Sequence, residues 1–274
     1  MVMSKINYAM CVALVFTALS GTSQAAVIFQ DDFENGNLSK TQGGARWSDS
    51  VYAQVTNQNP MTGSYSLRMT YTGSPDGQDS FSEQRFELGG RYPEVWVKYD
   101  LYVPSNYYHR TQSDSANNKS FVHLWAGGYS GSGFGAGYEI WPDGSGSGRL
   151  AFHSFRPDQE HRQDTLRNSR GIELSDRGTW IEITSQIKTS TAANDNGEAR
   201  VWKRRQGSAT KELIFERTGL PIYNADGNYM ERGYLLGWAN SGFLETTVFY
   251  IDNLVIADSP IDMNPLQPPP FSLR

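Results

Sequence analysis

Basic and aromatic residues recur at alternate positions in several short stretches of the chain. Lys119, His123 and Trp125 fall in one stretch, and Arg149 and His153 fall in another. Side chains two residues apart in a strand share a face, so each stretch places its cations and rings on one surface. Imidazole exchanges protons near neutral pH, cations pair with carboxylates, and indole rings stack on sugars. This combination favours binding of an anionic sugar chain.

Two further stretches contribute to the same surface. If Phe86 and Leu88 point to the core, Arg85 points away from it. Glu139 and Trp141 are two residues apart and share a face. That face is the outer one, because a charged glutamate disfavours the core. If these strands are neighbours, one outer face carries all the candidates. They are Arg85, Lys119, His123, Trp125, Glu139, Trp141, Arg149 and His153. Each also has a structural interpretation, in which the histidines and tryptophans are packing residues.

The elements that position these residues are strands. Residues 66–71, 95–103 and 247–256 alternate with period two, and turn clusters such as 142–146 separate such runs. The pattern predicts an all-β, two-sheet antiparallel sandwich or jelly roll. The glycine-rich segment 127–137 lacks the Lys-Ser/Thr ending of a phosphate-binding loop and is predicted to be an ordinary loop.

Composition and the chain termini limit the class of protein. With 274 residues and a net charge of −5, the chain fits one large domain and disfavours a nucleic-acid binder. Residues 1–25 are typical of a signal peptide, which predicts a secreted protein, extracellular or periplasmic; a membrane anchor is the alternative. The only cysteine, Cys11, lies in that segment. We expect a domain over 26–258, a proline-rich tail over 259–274, no membrane span and a monomer.

Segments at both ends of the predicted domain resemble a known superfamily. The chain opens with residues 29–34 and 63–69 (FQDDFE and GSYSLRM) and closes with residues 248–256 (VFYIDNLVI). Together these segments resemble the concanavalin A-like lectin/glucanase superfamily, which implies a β-jelly roll with paired first and last strands. The middle segments resemble the alginate and glucuronan-type polysaccharide lyases of that superfamily. They are residues 82–88, 97–104 and 118–128.

The resemblance implies cleavage of a uronate polymer by β-elimination. One group neutralises the C5 carboxylate, a base removes the C5 proton, and an acid protonates the leaving oxygen. By resemblance, Lys119, Arg85 and His123 match functional positions on a concave-face groove. Where the lyases have an arginine this chain has Glu139, and His153 and Phe155 replace their paired tyrosines. The base would then be His123 or His153.

A tyrosine for that chemistry has several possible sources. The loop over 106–110 contains two, and Tyr223 and Tyr229 are further candidates. Alternation excludes Tyr138, which lies on the opposite face from Glu139.

The superfamily resemblance also implies a structural calcium ion where the terminal strands meet. Its ligands would come from Asp32 or Glu34, from Asp252, and from backbone carbonyls near Gly63, since hard oxygen ligands suit Ca²⁺. The alternative is that these are strand-end and turn residues.

We therefore predict a secreted polysaccharide lyase that acts on an acidic polysaccharide. The catalytic candidates are Lys119, His123, Arg85 and His153, with substrate-binding roles for Trp125, Glu139, Trp141 and Arg149. The alternatives are a non-catalytic carbohydrate-binding protein with the same groove, and an interaction module with no sugar ligand. A retaining hydrolase is disfavoured, since Glu139–Asp143 has Trp141 where a laminarinase-type site has a carboxylate.

Overall fold

Strands account for nearly all regular structure in the part of the chain that the structure describes. The computed structural model describes residues 25–110, 121–128, 134–155, 161–165, 169–191, 196–222, 227 and 229–261. The strands are β1 Val27–Asp31, β2 Thr41–Gln42, β3 Ala45–Val51, β4 Ala53–Thr56, β5 Ser66–Tyr71, β6 Ser80–Tyr92, β7 Glu94–Val103, β8 Val122–Ala126, β9 Phe134–Pro142, β10 Gly148–Phe155, β11 His161–Thr165, β12 Thr179–Lys188, β13 Gly197–Arg205, β14 Glu212–Leu220, β15 Met230–Ala239 and β16 Thr247–Ala257. One 3₁₀ helix, Leu174–Asp176, precedes β12.

The strands form two antiparallel sheets, which confirms the predicted sandwich. The first sheet has the order β14-β13-β12-β7-β16-β5-β4, with β1 beside β16. The second has the order β11-β10-β9-β8-β15-β6-β3-β2. The pairing of β1 with β16, from Val27 opposite Ala257 to Asp31 opposite Leu254, confirms that the first and last strands are neighbours.

Alternating apolar side chains build the core between the sheets. On β7, Val97, Tyr99 and Leu101 are fully buried, and the Tyr99 hydroxyl donates to the Phe121 carbonyl at 2.9 Å. On β9, the core residue Tyr138 donates to the Arg200 carbonyl at 2.9 Å and so links the two sheets. The prediction that Tyr138 lies opposite Glu139 is confirmed.

The second sheet carries the predicted site. Strands β8, β9 and β10 are adjacent, as expected, but β15 lies between β8 and β6. The prediction of a loop over 127–137 is wrong at its end, because β9 begins at Phe134 and includes Gly135 and Gly137.

Some sequence predictions fall outside the described residues. These are most of the signal peptide (1–24), Lys119, Tyr223 and the tail from 262 onward. Among the residues that the structure does describe, no helix has the length and hydrophobicity needed to cross a membrane.

Candidate functional site

One row of side chains runs across five strands of the second sheet. Arg85 on β6 pairs with Tyr234 on β15, and Tyr234 pairs with His123 on β8. His123 pairs with Gly137 on β9, which pairs with His153 on β10. Adjacent strands are about 4.8 Å apart, so the row brings Arg85, His123 and His153 to one face at one level.

Aromatic rings stack along this row. His123 lies between Phe155 and Tyr234, with ring centroids 5.5 Å and 5.4 Å away and interplanar angles of 13° and 14°. Trp125 and His153 complete the set, with centroids 6.4 Å and 6.2 Å from His123. We call these five residues the ring cluster. Each member is at most 6% exposed, although all of them lie on the face turned away from the main core.

Glycines on β9 make room for the His123 ring. A Cβ atom on Gly137 would lie 2.4 Å from His123 Nδ1, and one on Gly135 would lie 2.2 Å from Phe155 Cζ and 2.9 Å from His123 Nε2. Those distances are too short for any larger residue without displacement of the rings. The imidazole therefore packs directly over the glycine backbone between β8 and β10.

Glu139 fixes the orientation of two neighbouring rings. Its Oε1 lies 2.9 Å from His153 Nδ1, and its Oε2 accepts a hydrogen bond from Trp141 Nε1 at 3.0 Å. The carboxylate is 1% exposed. This contact holds the His153 ring with Nδ1 toward the carboxylate and Nε2 away from it. In this geometry Glu139 contacts His153 and Trp141, and its predicted role in binding a sugar stays a prediction.

Partly exposed side chains border the buried rings. Arg85 forms an ion pair with Glu83, and its guanidinium carbon lies 5.7 Å from the centroid of the Trp125 ring. Its side chain is 32% exposed. Trp141 on β9 pairs with Arg149 on β10, and both residues are half-buried. The face thus offers cations and an indole to a ligand, next to imidazoles enclosed by aromatic rings.

Tyr234 is the member of this site that sequence reasoning missed. Of the tyrosines considered, Tyr107 is a core residue, Tyr108 is exposed, and Tyr229 packs against the core. Tyr234, in contrast, lies in the row between Arg85 and His123. The available signal was its spacing from Arg232: the two residues are two apart on β15 and so share a face.

The proposed calcium ligands do not form one oxygen cage. Glu34 accepts hydrogen bonds from the backbone N–H groups of Ser64 and Tyr65, both at 2.9 Å, and a Cβ on Gly63 would lie 2.4 Å from its carboxylate. Asp32 Oδ1 accepts from the Glu34 N–H at 3.3 Å.

Asp252 is likewise engaged by the backbone. Its Oδ2 accepts from the N–H groups of Met61 and Thr62 at 2.9 Å and 3.0 Å, and burial raises its pKa to about 6. In the described part of the chain, no group of three or more His, Cys, Asp and Glu residues is arranged to hold a metal ion. These carboxylates face donors, which does not fit a shared cation, and calcium binding stays a prediction.

A separate pocket of about 400 Å³ lies on the outer face of the first sheet. Asp100, Trp180 and Glu182 are among its lining residues. Burial raises the pKa of Asp100, whereas Glu182 forms ion pairs with Arg204 and Lys211. No histidine is among the lining residues that the structure describes, so the pocket lacks the proton-exchanging group that the row of the second sheet contains.

Comparison with known sequences finds no matching family model and no matching curated protein. Comparison with solved structures finds several alginate lyases. A mutant of alginate lyase Aly36B in complex with an alginate trisaccharide aligns with a TM-score of 0.56 and 14% identity, over 86% of this chain and 99% of that chain. Alginate lyase vAL-1 from Chlorella virus aligns with a TM-score of 0.57 and 12% identity, over 85% and 99%.

The PL-14 alginate lyase from Aplysia kurodai also aligns, with a TM-score of 0.57 and 12% identity, over 86% of this chain and 100% of that chain. Identities this low relate the folds alone. The chain therefore has a two-sheet β-jelly-roll fold, and in that fold it resembles the alginate lyases.

Proposed function

We propose that this protein is a secreted polysaccharide lyase that cleaves a uronate-containing polysaccharide by β-elimination on the outer face of the second sheet. The observation that carries the proposal is the row of Arg85, Tyr234, His123 and His153 across adjacent strands. It combines a cation, a phenol and two imidazoles within a few strand spacings. The alginate lyases that share this fold support the same class of reaction.

The residues of the row divide the reaction between them. Arg85 neutralises the C5 carboxylate, and Lys119 is a second candidate for this role. An imidazole nitrogen of His123 or His153 takes the C5 proton. The C5–H electron pair becomes the C4–C5 double bond as the C4–O bond breaks. Tyr234 then donates its hydroxyl proton to the leaving oxygen. The products are a shortened chain and an unsaturated uronate end.

The test is formation of that unsaturated end, followed by its ultraviolet absorbance. Purified protein is offered alginate, glucuronan, heparin, hyaluronan and pectate, with His123→Ala and His153→Ala beside the wild type. His109→Ala is the matched control, because His109 is buried outside the row. We expect elimination on one polymer, a loss of about a hundredfold or more in one of the row variants, and retention in the control. Equal activity in all variants would refute the assignment.

A second candidate function is binding of an acidic polysaccharide without cleavage. The specific observation in its favour is the enclosure of His123, which is 2% exposed and stacked on both sides. A binding protein needs only the partly exposed cations and indoles. Polymer retention without an unsaturated product, weakened by Trp141→Ala and unaffected by His123→Ala, would select this alternative.

A further inference from the structure

Three aromatic side chains form a surface cluster away from the row. Phe81 on β6 stacks on Trp238 of β15, with centroids 5.1 Å apart and an interplanar angle of 9°. Tyr52, between β3 and β4, lies 5.7 Å from Phe81. We call these three residues the aromatic platform. Trp238 is 42% exposed and Tyr52 is 62% exposed, which is unusual for rings of this size.

Hydrogen bonds fix the Trp238 ring and the backbone at Tyr52. Trp238 Nε1 donates to Asp79 Oδ2 at 3.0 Å, and Asp79 Oδ1 accepts from the Ser241 N–H at 2.8 Å. The Tyr52 carbonyl accepts from the Thr70 N–H at 3.0 Å and from Ser82 Oγ at 2.9 Å. The Trp238 ring is therefore held by its hydrogen bond and by its stack on Phe81 before a ligand arrives, so a ligand that stacks on it loses little entropy in ordering this side chain.

Strand register places the platform in line with Trp141 and Arg149. The pair Phe81–Trp238 lies four residues along β6 and β15 from Arg85 and Tyr234. The pair Trp141–Arg149 lies four residues from Gly137 and His153, in the same direction because β6 and β10 run parallel. At about 3.4 Å per residue, both pairs lie about 14 Å from the row of histidines. They therefore define a second line across the same face.

The two indoles of this line share one arrangement. Each N–H donates to a carboxylate at 3.0 Å, Trp141 to Glu139 and Trp238 to Asp79. When the N–H edge of an indole is fixed in this way, the flat face of the ring stays available to stack on an apolar surface. A pyranose ring presents such a surface between its hydroxyl groups. Repulsion of an anionic sugar is limited, because Asp79 already accepts two hydrogen bonds and Glu83 forms an ion pair with Arg85.

We propose that Trp238, supported by Phe81 and Tyr52, is a subsite that stacks on a pyranose residue of the polysaccharide. The chain then extends across the strands toward Trp141, and Arg149 pairs with a sugar carboxylate. This inference rests on the proposed function for its substrate class. It adds a binding contact remote from the reacting bond, which acts on long chains and not on short ones.

The experiment compares Trp238→Ala and Trp238→Phe with Leu213→Ala. Leu213 is 45% exposed on β14 of the other sheet, so it matches Trp238 in exposure. In affinity electrophoresis with the five acidic polymers, we expect Trp238→Ala to weaken retention by about two- to tenfold, as loss of one ring contact would. Trp238→Phe should retain most binding, and Leu213→Ala all of it. On a cleaved polymer, Trp238→Ala should raise KM and leave kcat and the turnover of short oligosaccharides unchanged.

The melting temperature of Trp238→Ala and the retention of a second variant separate an effect on folding from an effect on binding. Tyr52→Ala provides a second platform variant if Trp238→Ala lowers the melting temperature. Unchanged retention in both platform variants would overturn the subsite, whatever the catalytic result. Platform-dependent retention without elimination would instead support the subsite and refute the lyase proposal.

Discussion

Tyr234 supplies the phenol of the row and lies opposite His123 across β15 and β8. Its ring is fully buried and nearly parallel to the imidazole. The stacking depends on the ring, and the proposed proton transfer depends only on the hydroxyl. A substitution that separates the two parts therefore tests the chemical role directly.

Tyr234→Phe should keep the stack on His123 and lose the proton donor. We expect the rate of elimination to fall about a hundredfold or more, since that is the usual contribution of a general acid. The measurement is kcat with the polymer that the wild type cleaves. Tyr229→Phe is the control, because Tyr229 packs against the core outside the row. Full activity in Tyr234→Phe would remove the phenol from the mechanism.

Sequence reasoning reached part of this residue-level picture and missed the rest for a physical reason. Alternation on single strands assigned His123, Trp125 and His153 to an outer face, where they lie in the structure. Tyr234 was missed because which strands are neighbours depends on long-range pairing. Two consecutive leucines, Leu235 and Leu236, also obscure the alternation of β15, and Leu236 has a positive φ of 58°.

At the scale of elements, β9 is shaped by the rings that lie over it. Gly135 and Gly137 leave their side of the strand open, and His123 and Phe155 from the neighbouring strands cover it. The same glycines made the segment look like a loop in sequence. Sequence composition could not distinguish a flexible glycine from one that accommodates a neighbouring ring.

Gly135→Ala tests this packing. The new methyl group would meet Phe155 Cζ, so we expect a loss of about 1–3 kcal/mol in the free energy of unfolding, measured with urea. In a Phe155→Ala background the main obstacle is absent, and the same substitution should cost clearly less. Equal costs in both backgrounds would show that the ring and the glycine are not coupled.

A buried ion cluster joins the 3₁₀ helix to β13. Lys203 Nζ lies 2.9 Å from Glu173 Oε2 and 3.0 Å from Asp176 Oδ2, and it donates to the Gly171 carbonyl at 3.2 Å. The side chains of Lys203 and Asp176 are 1% and 0% exposed. Removal of the cation would leave a buried carboxylate short of one of its partners.

Lys203→Ala should therefore lower the free energy of unfolding by about 3–5 kcal/mol. Lys188→Ala is the matched control, since Lys188 pairs with Glu198 at 3.0 Å but is 40% exposed, and its loss should cost about 1 kcal/mol or less. Chemical denaturation of both variants gives the comparison. Similar costs for the two lysines would contradict a special role for burial.

At the scale of the whole molecule, the first and last described strands, β1 and β16, are neighbours in the first sheet. Of the segments that resemble the superfamily, residues 29–34 begin in β1, residues 63–69 lead into β5 and residues 248–256 lie in β16, and both β1 and β5 pair with β16. The overall architecture was therefore predictable, because period-two patterning and the terminal segments are local features of the sequence. The contents of the site were less predictable, because they depend on how distant strands pair.

The last prediction concerns the carboxylates near β1 and β16. Asp252 of β16 accepts hydrogen bonds from the N–H groups of Met61 and Thr62, and Glu34 accepts those of Ser64 and Tyr65. These hydrogen bonds tie the loop between β4 and β5 to β16 and to the turn after β1. The calcium prediction is tested by comparing the melting temperature with a chelator and with added calcium, and equal values are expected if these hydrogen bonds hold the loop without an ion. A bound ion would instead stabilise the folded state by mass action. A calcium-dependent rise that Asp252→Asn abolishes would confirm the predicted calcium site and require these carboxylates to turn from amide donors to the ion.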